Sequence, residues 1–144
     1  MKFYLIIEME IKIKKLHPGA VIPKYSFKGD AGMDIVAINK REEKNFVEYG
    51  TGLAFEIPEN YVLLVFPRSS VSKKDLILAN CVGVLDSGYR GELLIRFKKT
   101  GEEEYEVGER VAQIIILPYP KIEFKEVEEL SKTQRGKRGF GSSD

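Results

Sequence analysis

The chain has 144 residues, the size of one domain. Hydrophobic residues make up 43% of it, enough for a packed core, so wholesale disorder is excluded. Its 23 Lys and Arg against 22 Asp and Glu leave a formal charge of +1, which argues against a global basic field for nucleic acid. One cysteine, Cys81, and one histidine, His17, exclude an internal disulfide and a Cys/His zinc site. Catalysis must then rest on carboxylates, hydroxyls, arginines, backbone amides, or a metal brought in with the substrate.

In chain order, the apolar run Phe3-Tyr4-Leu5-Ile6-Ile7 stops at Glu8, too short for a signal peptide or a membrane span. The expectation is a cytoplasmic protein without a membrane partner. Met9, Ile11 and Ile13 alternate with Glu10, Lys12 and Lys14, the pattern of a half-buried strand. Gly32–Ala37 and Gly52–Ile57 are shorter strand candidates. Tyr61–Phe66 is a continuous β-branched and aliphatic run, as is Val111–Leu117, and each is bounded by Pro or Gly. Such runs predict strands buried on both faces. Ser69–Lys74 can hold a helical turn, and Leu76–Asn80 a short strand. Asn80–Glu92 reads as a hairpin with a tight turn near Leu85–Gly88. Leu93, Ile95 and Phe97 alternate with polar neighbours; Lys121–Phe124 and Lys125–Leu130 are a last strand and a last helical turn. Turns recur every 8–12 residues or so, which predicts an all-β sandwich or barrel with at most one short helix. Mixed charge runs such as Lys40-Arg41-Glu42-Glu43-Lys44 point to a heat-tolerant source. Residues 1–130 form the domain. Ser131–Asp144, with three glycines, four cations and a single apolar residue, Phe140, is a flexible arm.

Five segments carry chemistry. In the arm, glycine amides, Arg135 and Arg138 suit phosphate, Ser142 and Ser143 add hydroxyls, and Phe140 offers a face to a base. A solubilising basic terminus explains the same composition. Arg68, Ser69 and Ser70 follow a strand at Pro67 and make an anion corner, or else an ordinary helix cap. In the Asn80–Glu92 segment, backbone groups can read a pyrimidine edge and Asp86 can activate water, although Asp-Ser-Gly is also simply a turn. Asp34 follows a glycine into a strand, and Gln113 interrupts an apolar one, where its amide needs a structural or a ligand partner.

Together and in this order the segments resemble the five motifs of the trimeric deoxyuridine triphosphatase (dUTPase) family. They are Ala31-Gly32-Met33-Asp34-Ile35, Pro67-Arg68-Ser69-Ser70, Gly83 through Glu92, Gly108-Glu109-Arg110-Val111-Ala112-Gln113, and Arg135 through Ser142. The resemblance runs from Met9 to Asp144 and leaves residues 1–8 as an extra segment. It implies a jelly-roll-like β-clip fold and a homotrimer with three shared sites. The first, second and fourth motifs come from one chain, the uracil hairpin from its neighbour and the arm from the third. It further implies that Asp86 activates a water that attacks the α-phosphorus of dUTP, releasing dUMP for thymidylate synthesis and pyrophosphate. Mg²⁺ rides on the phosphates through waters, without a direct protein ligand. Arg68, Ser69, Ser70 and Gln113 hold phosphate oxygens, and Asp34 orients Arg68 or the metal's waters. Asn80, Val84 and Leu85 form the uracil slot, and Tyr89 packs under the sugar. Phe140 stacks on uracil, while Arg135, Gly141 and Ser142 grip the γ-phosphate. Family members often carry glycine where Ser70 stands, and threonine where Ser143 stands.

Two other readings compete. A deoxycytidine triphosphate deaminase, alone or bifunctional, shares the fold and the Arg-Ser-Ser segment. It needs a carboxylate in the strand leaving the hairpin, where this chain has Ile95-Arg96-Phe97. A non-catalytic β-sandwich that binds nucleic acid is opposed by the near-neutral charge. Nucleic acid is not an expected partner.

Overall fold

A computed structural model describes residues 9–142; Phe3–Ile7 and Ser143 lie outside the described residues. The described chain is almost entirely β. Its strands are β1 (Lys12–Lys15), β2 (Met33–Val36), β3 (Asn39–Glu42), β4 (Phe46–Gly50), β5 (Leu53–Glu56), β6 (Tyr61–Phe66), β7 (Leu76–Leu78), β8 (Gly83–Leu85), β9 (Leu94–Lys99) and β10 (Arg110–Pro118). Every pairing is antiparallel. One four-stranded sheet has the order β2-β10-β6-β8, a second has β3-β4-β9-β7, and β1 pairs with β5. Ser69–Lys73 forms the expected helical turn, as a 3₁₀ helix. The result is a jelly-roll-like fold. Among the described residues, no helix is long and apolar enough to cross a membrane.

Alternation builds the core. Ile35, Leu63, Val65, Leu85 and Ile114 come from one large sheet, and Val47, Tyr49, Leu76, Leu78, Ile95 and Phe97 from the other; all join one buried cluster. Tyr105, from the loop before β10, stands edge-on to Tyr49 with ring centroids 6.3 Å apart. Tyr49 Oη donates to the Tyr105 carbonyl at 2.8 Å, which fixes that loop against the sheet. Burial pushes the Tyr49 hydroxyl pKa up, so it stays a donor throughout the physiological range.

Several expectations need correction. β1 starts at Lys12 and Met9 is exposed. β6 and β10 are not buried on both faces within one chain. Leu63, Val65 and Ile114 point into the core, while Val62, Leu64, Phe66 and Ile115 on the other face are only half-buried. An apolar run announces two covered faces but cannot say that the second cover comes from the same chain. β3 and β4 went unrecognised: Lys40–Lys44 read only as a mixed charge run. In the fold, Lys40 pairs with Glu104 at 2.6 Å, and Lys99 bridges Glu42 and Glu104 at 2.8 Å each.

The Asn80–Glu92 hairpin forms only at its tip, where Tyr89 N donates to the Asp86 carbonyl at 3.1 Å. The arms that pair are β7 and β9; β8, between them, crosses to the other sheet and pairs with β6. Neither the strand at Lys121–Phe124 nor the helical turn at Lys125–Leu130 forms. After Pro118 the described chain pairs with no strand, and Phe124 and Leu130 stand 93% and 86% exposed.

Candidate active site

Three strands build the corner around Arg68. In register, Gln113 of β10 lies between Asp34 of β2 and Phe66 of β6. β6 then meets Pro67, which has no N–H to continue a ladder, and Arg68 follows with extended backbone before the 3₁₀ turn. Arg68 Nε donates to Asp34 Oδ1 at 2.7 Å, and Arg110 Nη1 reaches Asp34 Oδ2 at 3.3 Å. A register shift in β10 between Arg110 and Ala112 is the bulge that precedes this contact. Gln113 Nε2 donates to the Pro67 carbonyl at 3.0 Å, a structural partner that holds the start of the corner. Gly32 leaves room beneath it: a Cβ there would lie 2.7 Å from Gln113 Oε1 and push the amide aside.

The serines are not helix caps. Arg68 occupies the cap position without a side-chain bond, and Ser69 is exposed. The Ser70 Oγ turns inward, 3.2 Å from Arg68 Nη1 and 2.9 Å from the Tyr105 hydroxyl. Arg68, Ser70, Lys73, Lys74, Tyr105 and Arg110 line a cavity of about 500 Å³.

A second cavity, about 470 Å³, opens where the chain crosses between the large sheets. Asn80, Val84, Leu85, Asp86 and Tyr89 line it, joined by Glu92 and Arg96. Among the described residues Asp86 has no hydrogen-bond or ion-pair partner for its carboxylate, whereas Glu92 Oε1 accepts from Gly52 N at 2.8 Å. The Tyr89 hydroxyl donates to the Glu92 carbonyl at 2.9 Å. Its ring lies over Gly91, where a Cβ would come within 2.6 Å of Tyr89 Cζ.

Thus Asn80, Val84, Leu85, Asp86 and Tyr89 share one cavity, and Asp34, Arg68, Ser70 and Gln113 share one corner. The two sets do not meet within a chain. Leu85 pairs with Leu63, so Asp86 sits at the end of β6 opposite to Pro67, roughly 15–20 Å away at the usual strand rise. Arg135, Phe140, Gly141 and Ser142 reach neither cavity. Arg135 Nε donates to the Arg138 carbonyl at 3.0 Å, Arg138 Nε returns a bond of 3.2 Å, and Phe140 is fully exposed with φ of 53°. Sequence reasoning gave no role to Arg110, Lys73, Lys74 or Tyr105. The available signal for Tyr105 was a lone aromatic inside Glu102-Glu103-Glu104-Tyr105-Glu106.

The family model for dUTPase matches residues 19–144. The chain belongs to the dUTPase family. A dUTPase relative from Nautilia profundicola, named deoxyuridine 5'-triphosphate nucleotidohydrolase, is 42% identical over 142 residues, covering 94% of this chain and 99% of its own. The dUTPase of Staphylococcus bacteriophage 80alpha, solved with dUpNHpp, superposes with a TM-score of 0.81 at 33% identity, over 94% of this chain and 98% of its own. A mutant dUTPase from phage phi11 of S. aureus, whose structure describes a structural Mg(II) ion, gives a TM-score of 0.74 at 28% identity, over 86% of this chain and 100% of its own.

Proposed function

We propose that this chain hydrolyses dUTP to dUMP and pyrophosphate in the cytoplasm, at sites completed by three copies of itself, and so supplies dUMP for thymidylate synthesis. One observation carries the mechanism: Asp86 is a carboxylate without a partner among the described residues, in the same cavity as the residues assigned to the uracil slot. Its oxygens are free to orient a water and take its proton as that water attacks the α-phosphorus in line. Backbone groups of Asn80–Leu85, with the Asn80 amide and the Val84 side chain, receive uracil; the Tyr89 ring bounds the sugar. Arg68, Ser69, Gln113 and the Ser70 backbone of another copy hold phosphate oxygens, while the Ser70 hydroxyl and Asp34 keep the Arg68 guanidinium in place. Arg135, Gly141 and Ser142 of the arm close on the γ-phosphate while Phe140 stacks on the base.

Two features support the shared arrangement: the separation of corner from cavity, and an uncovered apolar face. Val62, Leu64, Phe66 and Ile115 are half-buried on the outer face of the β2-β10-β6-β8 sheet, and Val84 is 63% exposed beside them. Apolar patches of this kind mark interfaces.

The donor chemistry fits Mg²⁺ carried on the substrate. Phosphate and carboxylate oxygens are the hard ligands it prefers. Asp34 is engaged by two arginines and Glu92 by Gly52, which leaves Asp86 as the cavity carboxylate able to meet the ion's water shell. When bound, Mg²⁺ spreads the charge that develops on the phosphates. A deaminase reading is disfavoured by the cation Arg96 on the cavity wall, paired with Glu48 at 2.6 Å.

The test is pyrophosphate release from dUTP by the wild type and by Asp86→Asn. The variant should lose about 10²–10⁴-fold in kcat while still binding dUpNHpp. Undiminished kcat would remove Asp86 from its role, and ammonia released from dCTP would favour the deaminase.

A further inference from the structure

Resting on the assignment of the Arg68 corner to substrate phosphate, we infer that Tyr105 is a positioning residue for Arg68, acting through Ser70. The Tyr105 side chain is 1% exposed, its ring is packed against Tyr49 and Phe97, and its carbonyl is held by Tyr49. The hydroxyl is therefore delivered from a rigid base to the edge of the phosphate cavity, 2.9 Å from Ser70 Oγ. Either oxygen can donate in that contact. In both cases Ser70 Oγ keeps a lone pair for Arg68 Nη1 at 3.2 Å. Asp34 holds the other side of the guanidinium at Nε, 2.7 Å away. Arg68 is thus clamped at Nε and Nη1, and no described residue engages Nη2, which is left to an incoming anion.

The clamp gives the Ser70 hydroxyl a purpose. A serine there would crowd a phosphate unless its hydroxyl were turned away, and Tyr105 supplies the partner that turns it. Without that partner Ser70 can rotate toward the cavity and Arg68 loses one of its two side-chain anchors.

Tyr105→Phe keeps the ring and removes only the hydroxyl. It should lower kcat/KM for dUTP about three- to tenfold, the span of one ordinary hydrogen bond, with weaker dUpNHpp binding and an unchanged melting temperature. Placed on Ser70→Gly, the same substitution should have no further effect, because its partner is already absent. An equal loss in both backgrounds, or kcat/KM retained in Tyr105→Phe, overturns the inference. Should Tyr105→Phe fold poorly, Ser70→Ala removes the same link from the exposed side and must reproduce the loss; full activity there overturns the inference equally. Wild-type protein that fails to turn over dUTP would instead sink the functional assignment, so the two failures are distinguishable.

Discussion

Two carboxylates in this fold each hold a pair of arginines. Glu48 of β4 accepts from Arg41 Nε at 3.1 Å and Arg96 Nε at 2.6 Å, and both guanidiniums lie over the Phe46 ring, 5.9 and 5.1 Å from its centroid. Asp34 of β2 takes Arg68 and Arg110. The difference lies in what the arginines do next. Around Glu48 both cations are backed by an aromatic face, and Arg41 is held further by Glu43, which ties β3, β4 and β9 together even though Arg96 also borders the Asp86 cavity. Around Asp34, Arg68 continues to Ser70 on a cavity wall and keeps donors unused. Charge pairs that close on themselves serve the fold, and those that stop one bond short offer binding capacity.

A third pair, Arg135 and Arg138 in the arm, bonds only to the arm's own carbonyls. It has donors but, among the described residues, no scaffold outside the arm. Removing residues 134–144 should therefore take dUTP turnover below detection and leave the melting temperature where it was; a large drop in stability would make the arm part of the fold. Asp34→Ala sharpens the same contrast from the rigid side. It removes an anchor bond to a charged group, worth about 1.5–3 kcal/mol, so kcat/KM should fall about 10–150-fold. If Asp34→Ala were active and merely unstable, Asp34 would be a second Glu48. Phe140→Ala should cost on the order of 1–3 kcal/mol of stacking in kcat/KM, and unaltered kinetics would leave Phe140 without its stacking role.

Much of this was legible in the chain because some signals are local. The breaks at Pro58, Pro67, Gly108 and Pro118 bound β6 and β10, and the 3₁₀ turn follows at once from Pro67-Arg68-Ser69. What stayed hidden depends on distant partners. β3 pairs with β4, and its Lys40 and Glu42 meet Glu104 and Lys99, which come from β9 and the loop after it; no window around residue 40 contains them. Leu64 and Ile115 read as core because periodicity measures apolarity, not whether the chain itself covers it. At the site, motif residues were found one by one, but the Ser70–Tyr105 bond spans 35 positions and had no sequence signature.

The smallest expected effect tests the other half of the comparison. Glu48 is 8% exposed, and its hydrogen bond with Arg41, assisted by Arg96, holds its carboxyl below the usual value of 4.5 against the opposing effect of burial. A depressed pKa means that the unfolded chain binds the proton more readily. The Glu48 contribution is therefore fully present above pH 4.5 and is lost as the pH falls through the lowered folded value. Glu48→Gln cannot ionise. At neutral pH it should lose about 1–2 kcal/mol, or about 2–6 °C in melting temperature for a chain of this size. Its acid decline below pH 4.5 should also be shallower than that of the wild type. Its kcat/KM should stay within about twofold of wild type, since Arg96, although it lines the Asp86 cavity, is still held over the Phe46 ring when Glu48 is replaced. A variant equally stable at neutral pH, with the same acid profile, would mean that the Glu48 bridge is as weak as an exposed surface pair. Closure on an aromatic face would then say nothing about stability.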